Sequence, residues 1–401
     1  MEHKFIKNRD IVLFTFQPWN SGIGFNFKEM AYELAKYNRV LFVNRVADRN
    51  SLLRKKNELN QPKQKNELTQ INENLWLYNP NIVMESINWI SINWVYDSLN
   101  KINNNRLATA ITKAINKLSF KDFIFINDND FYRGLYQKEL LQGCSQYIFY
   151  IRDFLTIQPY FKRHGRRLEK EIIKKADLVV ANSAYLAKYA SQWNSMTFDI
   201  EQGCDLNSYA NTNFPVPADI ASIKRPIIGY SGAVTDMRLD ITVIEHIALS
   251  FPDYSIVFVG PVDKAFKKSR LKNYKNIHFT GIKKPDEIPA YISHFTICIN
   301  PQALNPLTIG NYPRKIDEYL AMGKPVIATS TEAMQMFRDY VFLCKTKEDY
   351  VTTINQILST PYLSSEVERQ RRINFAFTHS WENSIGMLGD AFHQTFMNNK
   401  I

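Results

Sequence analysis

The sequence predicts an α/β protein made of two Rossmann-like domains in tandem, and three observations support this fold class. The chain has 401 residues, more than one ordinary core holds and enough for two. Short apolar runs alternate with stretches of helical period, as in a parallel sheet covered by helices on both faces. The pattern then restarts after Cys204. We therefore expect a cleft between the domains, at the carboxyl ends of their strands.

The first half opens with a strand-like run and a glycine-bearing loop, Asn20-Ser-Gly-Ile-Gly24, followed by a predicted helix over 25–36. Residues 50–74 are polar and basic and predict an exposed insertion. The alternation of strand-like and helical sequence continues from there to the end of the half. The predicted strands are 11–16, 40–43, 75–78, 123–126, 147–151 and 178–181.

The second half begins with three prolines and little periodicity over 211–225, which is typical of a linker. Its predicted strands are 226–230, 255–259, 277–279, 295–299, 325–328 and 341–343, and 381–397 predicts a closing helix. The predicted domains are accordingly 1–205, 206–376 and a C-terminal helical segment, 377–401, that returns to the first domain.

The charge of the chain is uneven. Residues 1–200 contain 29 Lys and Arg against 19 Asp and Glu, so they hold nearly all of the net charge of +11. Such a surplus indicates an anionic partner such as lipid head groups, a lipid pyrophosphate or nucleic acid, or else a solvated lysine-rich surface. The four cysteines form no CxxC knuckle, and no apolar run is long enough to span a bilayer. We expect a cytoplasmic protein, with the inner face of a membrane as a candidate surface.

Residues 305–328 contain the most informative pattern. Pro313 suits a first helical turn and Gly323 a helix end. Asn311, Lys315 and Glu318 would share one helical face. A diphosphate can bind at such a helix N-terminus beside Lys315, and Glu318 can accept hydrogen bonds from two ribose hydroxyls. The alternative is a surface helix with one salt bridge.

The run Lys-x-x-Glu-Tyr-Leu-Ala-x-Gly-Lys-Pro-Val-Ile-Ala, from Lys315 to Ala328, resembles the donor-binding element of GT-B glycosyltransferases. It is similar to the large retaining group with a Glu-x7-Glu motif, including enzymes of teichuronic acid and exopolysaccharide synthesis. The resemblance implies that Glu318 contacts the donor ribose. The first Glu of the motif is replaced by Gly310, so Thr308 and Asn311 are expected to do its work.

The resemblance covers most of the chain. The strand and turn at 228–233 imply that Gly232 approaches the donor diphosphate and that Arg238 binds phosphate; a surface pair with Asp236 or Asp240 is the alternative for Arg238. The strand end at 279–283 implies that the backbone at Ile282 meets the nucleobase. In this context the loop with Gly22 and Gly24 faces donor or acceptor. Residues 178–186 and 380–382 resemble the end of the acceptor domain and the start of the returning helix.

Arg152 and Asp153 follow a predicted strand at its carboxyl end. Asp153 can orient or deprotonate an acceptor hydroxyl and Arg152 can hold a phosphate, or the two are a structural pair or a helix cap. His164 lies in a basic segment, 162–174, which predicts an amphipathic helix resting on anionic lipid or simply solvated. His164 is a candidate acceptor residue, with a structural role as the alternative.

Two further segments have competing interpretations. Asp128 and Asp130 follow a strand, as in the metal site of GT-A glycosyltransferases, although such residues also cap turns and helices. Residues 87–96 contain Trp89 and Trp94 and alternate apolar with polar. They predict either a membrane-interface element or an ordinary buried one.

Together the resemblance implies an enzyme that moves a sugar from a UDP- or GDP-sugar to a bacterial polysaccharide or lipid-linked glycan precursor, with retention and without metal or cofactor. Three rivals stay open. They are a metal-dependent transferase using Asp128 and Asp130, a non-catalytic protein that binds membrane or nucleic acid, and an epimerase or phosphorylase of the same fold.

Overall fold

The structure is a computed structural model that describes residues 3–20, 26–50, 52, 67–210 and 213–396. It divides into two compact units. Unit 1 comprises Met1–Gly203 and Trp381–Ile401, and unit 2 comprises Cys204–Ser380. The loop glycines Gly22 and Gly24 lie outside the described residues.

Unit 1 is built on an eight-stranded sheet with the order β3-β4-β2-β1-β5-β6-β7-β8. All its neighbouring strands are parallel except β3, which runs antiparallel to β4. The strands are β1 Asp10–Thr15, β2 Arg39–Val43, β3 Glu67–Asn72, β4 Leu75–Asn79, β5 Phe123–Asp128, β6 Cys144–Ile151, β7 Leu178–Ala181 and β8 Thr197–Asp199.

Unit 2 is built on a six-stranded, wholly parallel sheet with the order β11-β10-β9-β12-β13-β14. This is the 3-2-1-4-5-6 order of a Rossmann sheet, in which ligands bind where the strand order reverses. The strands are β9 Ile227–Ser231, β10 Ser255–Val259, β11 Ile277–Gly281, β12 Ile297–Asn300, β13 Val326–Thr329 and β14 Phe342–Cys344.

The helices of the described residues connect these strands. They are α1 Asn26–Leu34, α2 Asn93–Leu118, α3 Gln137–Leu140, α4 Pro159–Lys162, α5 Gly165–Lys175, α6 Ala184–Ser191, α7 Ile241–Ser250, α8 Lys264–Lys268, α9 Ile288–Ser293, α10 Lys315–Ala321, α11 Lys347–Ser359, α12 Glu366–Thr378 and α13 Trp381–Phe396. Among the described residues, no helix is both long and apolar enough to cross a bilayer.

Both faces of each sheet are buried, because successive residues of a strand point to opposite sides. In β1, Val12 and Phe14 join one core with residues of α2 and α5, and Ile11 and Leu13 join the opposite core with residues of α1 and α13. Unit 2 repeats this arrangement with two cores of its own. The predicted fold class of two doubly covered, Rossmann-like parallel sheets is therefore confirmed.

The returning C-terminal helix α13 packs against α1 and β7 within unit 1. Trp381 anchors its first turn, since the indole Nε1 donates to the Glu29 carboxylate at 2.7 Å. The Trp381 ring also fills the space beside Gly203, where a Cβ would lie 2.3 Å from the ring. The chain can therefore leave unit 1 after Gly203 and re-enter it at Trp381.

Several local predictions were wrong. The predicted helix over 162–174 is broken into α4 and α5, with Arg163 and His164 between them. Residues 213–225, expected to be a linker, belong to unit 2. Helix α10 begins at Lys315, so Asn311 and Pro313 precede it. Strands β3 and β8 were not predicted, and β3 lies inside the polar segment expected to be an insertion.

Candidate functional site

The candidate donor site of unit 2 lies at the carboxyl ends of β9 to β12. Strands β9 and β12 are neighbours in the sheet, while the chain moves from β9 outwards to β11 before it returns to β12. The strand order therefore reverses between them. In open α/β sheets the ligand crevice lies at this point, outside the carboxyl ends of the strands.

Two glycine turns bring backbone close together at this edge. Gly232 follows β9 with φ +130°, and Gly260 follows β10 with φ +142°. A Cβ on Gly260 would lie 2.0 Å from the Gly232 carbonyl oxygen, so no larger residue fits there. The Gly260 amide in turn donates to the Gly281 carbonyl at 2.9 Å. The ends of β9, β10 and β11 thus form one compact surface of main chain.

Helix α10 places Lys315 against the first of these turns. A Cβ on Gly232 would lie 3.0 Å from Lys315 Cε and 3.5 Å from its ammonium nitrogen. The same ammonium lies 5.1 Å from the centre of the Tyr230 ring. The helix is fixed there by Tyr319, whose buried hydroxyl accepts the Ser231 amide at 2.7 Å. An anion at the Gly232 turn would therefore meet a positioned cation.

Glu318 lies on the next turn of α10 and is partly buried beside Arg314 and Tyr209. Its Oε1 is 3.6 Å from Arg314 Nε, and it shares a hydrogen bond with the Tyr209 hydroxyl. Burial raises the pKa of Glu318, while Arg314 and Lys315 act in the opposite direction. With its side chain 17% exposed, the carboxylate is oriented and still accessible to a ligand hydroxyl.

The loop before α10 is held in shape by hydrogen bonds from its own side chains to its backbone. The buried Thr308 hydroxyl donates to the Ala303 carbonyl, and the Asn305 side chain accepts the amides of Leu307 and Thr308 at 2.9 and 3.2 Å. Thr308 therefore helps to shape the loop, and Asn311 is half-buried beyond it.

Arg238 is exposed and lies next to the same loop, because its carbonyl accepts the Ala303 amide at 3.0 Å. Among the described residues no carboxylate is in ion-pair contact with Arg238, and Asp240 instead caps α7 by accepting the Thr242 and Val243 amides. Ile282 follows β11 at the edge of the sheet with 76% of its surface exposed. Arg238, which follows β9, and Ile282, which follows β11, therefore lie on the same edge of the unit 2 sheet as Gly232.

The corresponding position in unit 1, between β1 and β5, is occupied by a buried ion pair. Arg152 Nε and Nη2 lie 2.5 and 2.7 Å from the two Asp128 oxygens. The Thr15 hydroxyl, at the end of β1, donates to the same carboxylate at 2.7 Å. Asp128 raises the pKa of Arg152 against the opposing effect of burial. Arg152, expected to hold a phosphate, here neutralises Asp128.

Asp153 and Asp130 lie beside this pair on their strand ends. The Asp153 carbonyl accepts the Asn129 side-chain amide at 3.0 Å, and its side chain is half-buried. Asp130 caps a turn by accepting the Tyr132 and Arg133 amides at 3.1 and 2.9 Å. Within the ranges that the structure describes, no group of three or more His, Cys, Asp or Glu side chains could hold a metal ion.

His164, a candidate acceptor residue, is buried in the packing of unit 1. Its Nε2 lies 2.7 Å from the Ile90 carbonyl oxygen. Its ring stacks on Tyr96 with the ring centres 3.8 Å apart. Burial lowers its pKa, which favours the neutral ring. These contacts give His164 a packing role between α2 and α5.

Sequence reasoning missed several residues of the unit 2 site. Tyr209 and Arg314 hold Glu318, and Tyr319 docks α10 on β9. The sequence around Gly260 does indicate a tight turn, because this glycine ends an apolar strand and is followed by a proline. Tyr209 had none, because it reaches Glu318 from a segment more than 100 residues earlier in the chain.

Comparisons with known proteins give a family match that lies within unit 2. Residues 225–360 match the family model described as Glycosyl transferases group 1. The Bacillus subtilis (strain 168) protein named as the teichuronic acid biosynthesis glycosyltransferase TuaH is 28% identical over 228 residues, which cover 53% of this chain. The match spans about half of that curated relative, 56% of its length.

Solved structures resemble the whole chain. Sucrose-phosphate synthase from Thermosynechococcus elongatus superposes with a TM-score of 0.67 and 17% identity, covering 98% of this chain and 100% of the other. Anabaena HepE in complex with UDP and glucose superposes with a TM-score of 0.62 and 15% identity, covering 97% and 99%. At these identities the likeness shows a shared fold.

Proposed function

We propose that this chain, a GT-B protein whose second unit carries a group 1 glycosyltransferase domain, transfers a sugar from a UDP- or GDP-sugar to a bacterial polysaccharide or lipid-linked glycan precursor. One observation carries the proposal. Gly232, Lys315 and Glu318 lie together at the switch point of a Rossmann sheet, inside the residues that match the family.

These three residues suit the parts of a nucleotide sugar. The Gly232 turn suits a diphosphate because it has no side chain to exclude it, and the Lys315 ammonium supplies positive charge beside the turn. The Glu318 carboxylate, oriented by Arg314 and Tyr209, suits the two hydroxyls of a ribose. Arg238 would add charge to the phosphates and Ile282 would lie at the nucleobase. Thr308 and Asn311 would act on the transferred sugar, Thr308 through the shape of its loop.

The donor type is supported by the ligands found in a solved structure of similar fold. HepE was solved with UDP and with glucose, and in this chain Glu318 would contact a ribose, which UDP and GDP share. Retention of configuration follows from the resemblance to the Glu-x7-Glu group. During transfer, Lys315 and Arg238 would stabilise the charge that develops on the leaving diphosphate.

We also propose that transfer needs no metal ion and no cofactor. The observation behind this is the Asp128–Arg152 pair. A carboxylate whose two oxygens already face a guanidinium at 2.5 and 2.7 Å is a poor ligand for a divalent cation. In this account Asp153 orients the acceptor hydroxyl and Arg152 positions the strand end through Asp128.

For the acceptor we propose an anionic or lipid-linked glycan precursor. The support is the charge of the first 200 residues, 29 Lys and Arg against 19 Asp and Glu. The relative named for teichuronic acid biosynthesis fits an acceptor of this class. Electrostatic attraction would concentrate such an acceptor near unit 1, and its effect should weaken with salt.

A thermal-shift panel tests the donor. A ligand that binds only the folded chain at one hundred times its dissociation constant stabilises it by about 2.7 kcal/mol. We expect UDP or GDP and their sugars to raise the melting temperature, and inorganic phosphate at the same concentration to leave it unchanged. A panel in which no nucleotide shifts the melting temperature would count against the proposal.

Turnover then separates the remaining rivals. A transferase should release UDP or GDP only when an acceptor is present, and it should do so equally in a chelator. Loss of release in chelator would favour the metal-dependent enzyme. Conversion of the sugar nucleotide without acceptor would favour an epimerase, and sugar release with inorganic phosphate would favour a phosphorylase. Tight RNA binding without nucleotide binding would favour a non-catalytic role.

A further inference from the structure

Two tryptophans of unit 1 are exposed to solvent to an unusual degree. The chain has six tryptophans, all of them in described ranges, and only Trp89 and Trp94 stand mostly in solvent, at 72% and 73% exposure. Ile92 and Tyr160 beside them are 55% and 58% exposed. Large apolar side chains grouped in this way mark an interaction site.

The exposed side chains stand on a tightly bonded base. Arg163 donates from its guanidinium to the Trp89 carbonyl, and His164 Nε2 bonds the Ile90 carbonyl at 2.7 Å. The Asn88 side chain donates to the Tyr160 carbonyl at 2.6 Å. These bonds join the segment before α2 to helix α4 and the start of α5. The two segments therefore present one surface.

The same surface is positively charged. Lys162 and Arg163, which follow Tyr160 in the chain, are exposed, and neither forms an ion pair with a carboxylate among the described residues. The two acidic groups that flank the tryptophan segment in the chain, Glu85 and Asp97, are already paired with basic side chains. Asp97 lies 2.7 Å from Arg167, and Glu85 accepts from Arg49 and Arg106.

We propose that this aromatic–basic patch, formed by Trp89, Ile92, Trp94, Tyr160, Lys162 and Arg163, docks the protein on an anionic phospholipid bilayer. Indole and phenol rings favour the head-group level of a membrane, with the apolar ring in the acyl boundary and the polar edge in water. Lysine and arginine beside them are attracted to anionic head groups. This combination of side chains identifies a lipid surface as the occupant.

The binding mode is peripheral. Ile87, Ile90 and Tyr96 alternate with the exposed residues and are buried in unit 1, so only one side of the segment is available to lipid. The charged side chains would rest at the phosphate level while Trp89 and Trp94 insert. The inference goes beyond the proposed transfer reaction and stands on this surface alone.

The test uses the full chain and vesicles of two compositions, neutral phosphatidylcholine alone and the same lipid with phosphatidylglycerol. We expect flotation with the anionic vesicles, weaker at high salt. We also expect a blue shift of tryptophan emission and quenching by lipids brominated on their acyl chains. Trp89→Ser with Trp94→Ser should abolish this quenching, which assigns it to these two residues and not to the buried Trp19 and Trp381 or the half-buried Trp76 and Trp193.

Variants locate the contact. Trp89→Ser with Trp94→Ser should weaken vesicle binding about tenfold, by removing the inserted apolar surface. Lys162→Ala should weaken it about fivefold, since a cation near an anionic surface contributes about that factor. Matched controls in unit 2 change exposed apolar and basic residues, namely Leu249→Ser with Val367→Ser and Lys267→Ala. They should bind vesicles as the native chain does.

Three results would overturn the inference. The first is equal, salt-independent binding to neutral and anionic vesicles, and the second is native binding by both patch variants. The third is concentration-dependent self-association, without lipid binding, that Trp89→Ser and Trp94→Ser abolish, because the patch would then bind a second copy. Nucleotide titration of the patch variants should be unchanged, so failure here is distinguishable from failure of the proposed donor site.

Discussion

Replacing Asp128 by Asn perturbs the buried ion pair at the switch point of unit 1. The change keeps the shape of the side chain and removes its charge. Arg152 then remains in place with a guanidinium that is nearly shielded from water and has lost its carboxylate partner. The Thr15 hydroxyl also loses a charged acceptor at 2.7 Å.

The magnitude follows from the burial of both partners, whose side chains are 7% and 0% exposed. Breaking a buried pair by removing one partner costs about 3–5 kcal/mol, because the other charge is left uncompensated. For a unit of about 200 residues this corresponds to a fall in melting temperature of roughly 10 °C. Replacing both residues, Asp128→Asn with Arg152→Met, should cost much less than the two single changes added together.

Calorimetry of the four proteins in this double-mutant cycle measures the coupling. Circular dichroism at low temperature first confirms that each variant is folded. We expect a coupling free energy of several kcal/mol between positions 128 and 152. If Asp128→Asn unfolds at the native temperature, or if the single costs simply add, the pair does not hold this strand edge together and Asp128 is again available as a metal ligand.

Three further predictions concern other parts of the chain. Burial raises the pKa of Glu169 to about 7. Between about pH 4.5 and 7 the folded chain therefore keeps a proton on Glu169 that the unfolded chain has lost. The free energy of unfolding should fall by about 3 kcal/mol as pH rises through this window. Glu169→Gln should remove this fall in denaturant titrations at pH 5 and pH 8; equal falls in both proteins would refute it. Gly260→Ala should destabilise unit 2 and weaken nucleotide binding, because its Cβ would lie 2.0 Å from the Gly232 carbonyl oxygen; a native melting temperature would contradict this. Asp153→Asn should slow sugar transfer with donor affinity nearly unchanged, and full activity would make Asp153 structural.

The parallel sheets could be predicted from the sequence because their strands are buried on both faces. Such strands are short continuous apolar runs, as in Ser255–Val259 and Leu178–Ala181, and the bounds found there agree with the runs. Strand β3, Glu67–Asn72, was not predicted because it is polar and lies at the edge of the sheet that the structure describes, next to β4. Its position is set by a neighbour and not by its own composition.

The donor site could be predicted in part. Lys315 and Glu318 are one helical turn apart, so their proximity follows from helix geometry. Asn311, predicted to share the helical face of Lys315 and Glu318, does not do so, because the helix begins at Lys315 and Asn311 precedes it. The Asp128–Arg152 pair was not foreseen, because Asp128 and Arg152 come from different strands and meet only when β5 and β6 are aligned.

The central claim is that unit 2 binds a nucleoside diphosphate through Glu318, and calorimetric titration of UDP and GDP into the native chain and Glu318→Gln tests it most directly. Two charge-assisted hydrogen bonds from ribose hydroxyls would each contribute roughly 1.5–3 kcal/mol. The variant should therefore bind the nucleotide at least about tenfold more weakly. Glu348→Gln, which removes an exposed carboxylate on α11, is the control and should bind as the native chain does. Unchanged affinity in a folded Glu318→Gln protein would contradict the account.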